Sequence, residues 1–212
     1  QMRHVPVPQG WCFVIANTGV RAEKSGHAGA VYNARRKECE EAFRIVADVA
    51  LNRGLIHSRL TGYRNLLQIL EEDIVIEVGE DALRGTLLQR FRHVITEAAR
   101  VEAAVDLMIS DDLQGFGWLM DDSHRSLRVD YEVSSKELDE LVMVARDAGA
   151  EGARLTGAGL GGCIVTLAEQ GKVDAVLEGL SEGYYAPRGI TTGIDQDLFM
   201  ATPSVGASVI TL

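Results

Sequence analysis

Apolar positions along the 212-residue chain follow two rhythms, unbroken β-prone runs and helical spacing. Trp11-Cys12-Phe13-Val14-Ile15-Ala16 is apolar without alternation, which predicts a short strand buried on both faces. Asn17-Thr18-Gly19 closes it with turn chemistry, and the glycine-spaced polar stretch from Arg21 to Gly29 reads as a loop. From Ala30 to about Arg53 there is neither glycine nor proline. Tyr32, Cys39, Phe43, Val46, Ala47 and Ala50 recur there near helical spacing, and Gly54 stands where a terminal glycine stops a helix. Leu55 to Glu80 shows no regular period and receives no assignment.

A second long helix is predicted from Leu83 through Ile109, its apolar face formed by Leu87, Phe91, Val94, Ile95, Ala98, Val101 and Val105. Ser110 or Asp111 is expected to cap the next helix, which runs to about Leu127. Ser134 with Glu137 matches a Ser-x-x-Glu capping box ahead of a helix that Gly149 closes. The final third changes character. Ala153 to Thr156 and the β-branched Cys163-Ile164-Val165-Thr166-Leu167 read as strands around a glycine-rich stretch, and Val173 to Leu180 as a helix. Strands are also expected at Asp197 to Ala201 and Ala207 to Thr211. A few separated strands among several long helices predict an α+β fold, a mainly antiparallel sheet with helices packed on it, in a single domain over 1–212.

Composition narrows the function. Thirty-one acids against 21 bases give a formal charge of −10, a poor match to nucleic-acid binding. No apolar run reaches the ~20 residues of a membrane-spanning helix. The three cysteines, Cys12, Cys39 and Cys163, are odd in number and widely spaced, which suits free thiols in a reducing, cytoplasmic setting. Neither cysteines nor histidines show zinc spacing, so no metal is expected.

Gly157-Ala158-Gly159-Leu160-Gly161-Gly162 is the most informative string. Gly157, Gly159 and Gly162 match Gly-x-Gly-x-x-Gly, but a dinucleotide site needs a helix next, and Ile164 to Leu167 predict a strand. A P-loop needs Gly-Lys-Ser/Thr, whereas Cys163 and Ile164 follow Gly162. Two readings stay open from the loop alone: a tight connection between strands, or a cradle of backbone amides for an anion.

Five segments, in order, resemble the C-terminal half of the galactokinase family within the GHMP small-molecule kinase superfamily. They are Asn17-Thr18-Gly19-Val20-Arg21; Tyr32-Asn33-Ala34-Arg35-Arg36-Lys37-Glu38-Cys39-Glu40; Arg92-His93-Val94-Ile95-Thr96-Glu97; Ser123-His124-Arg125-Ser126-Leu127-Arg128 continuing through Asp130 to Asp139; and Arg154 to Cys163 around the glycine string. The resemblance implies a GHMP-kinase C-terminal-domain fold. It also implies a part in transferring phosphate from ATP, with Mg2+, to the anomeric hydroxyl of galactose or a related sugar. By the same resemblance Tyr32 would hydrogen-bond the sugar, and Gly157, Ala158, Gly159, Leu160, Gly161 and Gly162 would border the transferred phosphate. Within the loop, Ala158 and Leu160 replace the family's usual glycine and phenylalanine. The family's Gly-Leu-Ser-Ser-Ser phosphate loop and Met-Asp-Gln aspartate segment do not occur in these residues. No catalytic residue is therefore expected in this chain, which is expected to be inactive until an N-terminal kinase half completes it.

Bland readings stand beside these. Tyr32 could pack into the core, and Asn17 and Arg21 could serve turn and surface. Arg35 and Arg36 read as a solvated, ion-paired face, and His124 has no acidic partner placed for it. A non-enzymatic sugar sensor or interaction module on the same fold, and a kinase half for another sugar, remain alternatives. An apolar patch around the first strand and the glycine loop, able to mediate self-association, is expected.

Overall fold

The computed structural model describes residues 5–20 and 27–202, in which seven α-helices accompany four strands. The strands are β1 (Trp11–Asn17), β2 (Gly152–Leu155), β3 (Cys163–Glu169) and β4 (Leu198–Ala201). They form one antiparallel sheet in the order β2-β3-β1-β4. Trp11 pairs with Glu169 and Asn17 with Cys163, so the first strand lies inside the sheet, with Val14 and Ala16 buried on one face and, on the other, Trp11 buried but Phe13 and Ile15 only partly so. The expected strand at Ala207 to Thr211 lies outside the described residues.

Both faces of the sheet are covered. On one, Val14, Ala16, Leu155, Ile164 and Ala168 pack against α6 (Lys136–Asp147) and α7 (Val173–Leu180) through Leu138, Leu141, Ala145, Val176 and Leu180. On the other, Trp11 and Leu167 meet Met120 and Phe116 of α5 (Leu113–Val129). Here α5 approaches β2 so closely that a Cβ on Gly117 would collide with the Glu151 carbonyl, and one on Gly152 with the Gly117 carbonyl. Glycine inside the helix costs about 1 kcal/mol against alanine, but nothing larger fits the contact.

A second core is purely helical. Here α1 (His27–Asn52), α2 (Tyr63–Ile69), α3 (Glu72–Ala82) and α4 (Gly85–Ile109) bury Phe43, Val46, Leu66, Val75, Phe91 and Ile95. The irregular stretch from Leu55 to Glu80 is thus mostly helical, in two short pieces.

Two capping expectations are corrected. The α5 cap is Asp112, whose carboxylate accepts the Gly115 N–H at 2.8 Å. Ser110 bonds back to the Asp106 carbonyl at 3.0 Å, and Asp111 (φ 56°) turns the chain and accepts the Trp11 indole N–H at 2.8 Å. The α6 cap is Ser135, which accepts the Leu138 N–H at 3.3 Å, while Ser134 donates to the Asp139 carboxylate at 2.6 Å. Gly54 and Gly149 end their helices as expected, at φ 72° and 96°.

Candidate functional site

The glycine string is the connection between β2 and β3. Gly157 (φ 80°), Gly159 (77°), Leu160 (61°), Gly161 (131°) and Gly162 (81°) are left-handed, a run open to glycine and strained for leucine. Ala158 is outside that region, so its Cβ brings no backbone strain.

Three neighbours fix the loop. The Leu160 N–H donates to the Val133 carbonyl at 2.7 Å. Gly162 donates to the Val20 carbonyl at 2.9 Å and accepts from both the amide and the hydroxyl of Thr18 at 2.8 and 2.9 Å. Thr156 donates to Cys163 at 2.9 Å. The amides of Gly157, Ala158 and Gly161 have no acceptor among the described residues, and Gly161 is buried. N–H groups with no acceptor among the described residues, on a backbone with mostly left-handed turns, suit an anionic oxygen. No group of three His, Cys, Asp or Glu side chains gathers at metal-binding range among the described residues. Backbone donors of this kind fit a phosphate group.

The loop's second support comes from the tyrosine pair in the π-helical turn Ser181–Tyr185 that follows α7. Tyr184 donates to the Thr18 carbonyl at 3.1 Å, and Tyr185 to the Asn17 carbonyl at 2.7 Å. Asn17 itself spends its side chain on Asp197 (2.9 Å) and the Gly19 amide (3.1 Å), the turn role rather than a ligand role. Arg21 lies outside the described residues.

Tyr32, in the first turns of α1, is 46% exposed, so the core reading fails and its phenol is accessible. One turn on, Arg35 and Arg36 separate. Arg36 is 70% exposed and pairs with Glu40 at 3.1 Å, as expected of a solvated face. Arg35 is only 18% exposed and turns inward to Glu38 (3.2 Å) and Glu132 (3.1 Å). Between those two carboxylates lies Arg90, fully buried on α4, bonded to Glu38 at 2.6 Å, to Glu132 and to the Asp130 carbonyl. Hydrogen bonding from Arg90 holds the Glu132 carboxyl below its ordinary value. The sequence reading missed Arg90. Its signal is position: three residues after Leu87 and four before Val94, a cation stands on an apolar stripe.

His124 is also corrected. Its Nε2 lies 3.2 Å from the Asp139 carboxylate, and its Nδ1 accepts the Leu155 N–H at 3.3 Å, joining α5, α6 and the end of β2. Asp139 stands 15 residues away, out of reach of local spacing rules. Burial keeps the imidazole below its ordinary value. A second buried imidazole, His93, stacks on Tyr131 with ring centroids 4.3 Å apart and meets Ser126 at 3.0 Å. Ser126 in turn donates to Asp130 at 3.1 Å.

Comparison with known proteins agrees with this geometry. Residues 103–186 match the family described as GHMP kinases C terminal. The galactokinase of Chloroflexus aggregans is 37% identical over 209 residues, 98% of this chain and 49% of that protein. That of Fusobacterium nucleatum is 36% identical over 196 residues, 92% of this chain and 46% of that protein. The crystal structure of Lactococcus lactis galactokinase complexed with galactose superposes with a TM-score of 0.69 at 27% identity, covering 95% of this chain and 46% of that one. The crystal structure of L. major mevalonate kinase shares the fold at a TM-score of 0.56 and 21% identity. The chain spans about half the length of the curated relatives it matches.

With a strand-to-strand glycine loop, braced by the first strand's turn on an antiparallel sheet with this helical layer, the chain is similar to a GHMP-kinase C-terminal region. It is galactokinase-like: its sequence follows the C-terminal half of galactokinases almost from end to end.

Proposed function

We propose that this chain is the C-terminal half of a galactokinase-type sugar 1-kinase, inactive alone and completed by an N-terminal half that carries the phosphate loop and the aspartate. The observation that carries the reading is the continuous likeness to galactokinases over 92–98% of the chain, glycine loop and Tyr32 segment included. In this reading Tyr32 hydrogen-bonds the sugar. The loop Gly157 to Gly162 presents the amides of Gly157, Ala158 and Gly161 to the transferred phosphoryl group. Phosphoryl transfer depends on positioning and on stabilising charge over the equatorial oxygens, which fixed N–H groups supply without reorganising. Magnesium-ATP, when bound, provides the phosphoryl group and neutralises its charge.

The test is a chimera in which this chain replaces the C-terminal half of the Lactococcus lactis enzyme, assayed for galactose-dependent ADP release beside this chain alone. Turnover by the chimera and none by the chain is the expected result. A folded chimera that binds magnesium-ATP yet ignores galactose overturns the substrate, and turnover by the chain alone overturns its incompleteness.

A further inference from the structure

We propose that Arg90 is a positioning residue for phosphoryl transfer, locking helix α1 and the Gly157–Gly162 loop into one arrangement through Glu38 and Glu132. The proposal rests on the functional reading above, which gives α1 and the loop their roles.

The path is continuous. Arg90 reaches Glu38 on α1 at 2.6 Å with its Nε, and the Asp130 carbonyl and Glu132 with its two terminal nitrogens. Arg35, one turn beyond Tyr32, bridges the same two carboxylates from the other side at 3.2 and 3.1 Å. Two guanidiniums and two carboxylates thus close a charge-balanced ring. Each nitrogen of the fully buried Arg90 guanidinium has an acceptor, and losing any of the three would leave a buried charge short of a partner, which favours this arrangement of the ring.

The ring bears directly on the loop. Glu132 is left-handed (φ 53°), a conformation that opposes glutamate and persists only where its surroundings impose it. That turn aims the next carbonyl, Val133, at the loop, where it accepts the Leu160 N–H at 2.7 Å. Leu160 is the strained left-handed leucine (φ 61°), and a Cβ on the neighbouring Gly159 would collide with the same Val133 carbonyl. The Val133 amide is itself tied to the Leu127 carbonyl at 3.0 Å, so residues 132–133 cannot turn freely. Releasing Glu132 from Arg90 therefore removes one of the restraints on the Val133 carbonyl and loosens the loop, while the sheet and the hydrophobic cores stay intact.

The experiment is amide hydrogen exchange by NMR on the full chain, for the wild type, Arg90→Lys and Glu132→Gln. Lysine keeps the charge but cannot reach three acceptors at once, and glutamine keeps the shape without the charge. Leu160 exchange is expected to rise about tenfold in both variants, while Val14 and Thr166 in the sheet keep their wild-type protection. Leu160 exchange that stays at wild type, or that rises only in step with Val14 and Thr166, overturns the proposal. Glu132→Gln alters a half-exposed side chain and decides the question even if Arg90→Lys does not fold. In the chimera, each variant is expected to lower kcat about tenfold with the galactose KM little changed. A silent wild-type chimera would count against the functional reading alone, because the exchange result does not depend on turnover.

Discussion

Acid should destabilise this chain through His93. The imidazole is 8% exposed, lies against Tyr131 and bonds to Ser126, and burial lowers its pKa from 6.5 to about 4. In the unfolded chain it titrates near 6.5, so between these values the unfolded state binds the extra proton. The stabilisation is complete above pH 6.5 and is lost as pH falls toward 4. Linkage puts the loss at about 2 kcal/mol at pH 5 and about 3 kcal/mol at pH 4, relative to pH 7. Acidic groups add their own pH dependence, so the wild type must be compared with His93→Gln. Glutamine cannot take up the proton and retains a donor for Ser126. It will be less stable at pH 7 for want of the stacked ring, yet its stability should fall about 2 kcal/mol less between pH 7 and pH 5. Urea unfolding at the two pH values, followed by tryptophan fluorescence, measures the difference of differences. Equal falls for both proteins would refute the reasoning and mean that His93 is solvated enough to titrate normally.

Three further outcomes follow from the same geometry. Gly159→Ala places a Cβ at φ 77° against the Val133 carbonyl and should cost about 2–3 kcal/mol in urea unfolding; a loss under about 0.5 kcal/mol would show that the loop relaxes freely. Burial pushes the Cys39 thiol up to about 11, so at pH 8 it should alkylate about a hundredfold more slowly than a thiol of ordinary pKa 9.0, as read by peptide mass spectrometry with iodoacetamide; an ordinary rate contradicts the burial. Tyr32→Phe, at an exposed position, should leave the melting temperature within about 2 °C but raise the galactose KM of the chimera about fivefold; an unchanged KM removes Tyr32 from the sugar site.

What could be read from sequence was local. The unbroken run at Trp11 to Ala16 marked the central strand, and the stripe from Leu87 to Ile95 marked α4, because burial writes itself into period. The stretch before α4 hid its helices for two reasons. At seven residues α2 is too short to show a period, and Gly79, which reads as a breaker, lies within α3 because the Phe91 ring occupies the space of a side chain. The site was half legible. Glycines declared the loop, but its supports come from the turn after β1, residue 133 and the turn that follows α7, more than 20 residues away in sequence. Arg35 was misread as surface for the same reason. Glu38 lies beside it on the helix, whereas Glu132 and Arg90 arrive only through the tertiary fold.

Strain is distributed accordingly. Among the described residues three that are not glycine adopt left-handed backbone: Asp111, Glu132 and Leu160. Each costs roughly 1–3 kcal/mol unless its surroundings impose it, and each is tied by a bond from a distant element. Asp111 is held by the Trp11 indole, Glu132 by Arg90 and Arg35, and Leu160 by the Val133 carbonyl. The last two are linked in series, so the loop's most costly residue is held by a turn that is itself held by a buried ion pair. A loop fixed this way keeps its amides in place before any ligand arrives, which is the condition under which backbone donors stabilise a transferring phosphoryl group most. With Glu132 half-exposed the pair accordingly adds little net stability, but removing the carboxylates leaves the buried Arg90 charge uncompensated and is destabilising. Its value lies in the loop geometry it enforces, and an apolar replacement of Arg35, Arg90, Glu38 and Glu132 together should therefore keep the fold while loosening Leu160 in amide hydrogen exchange.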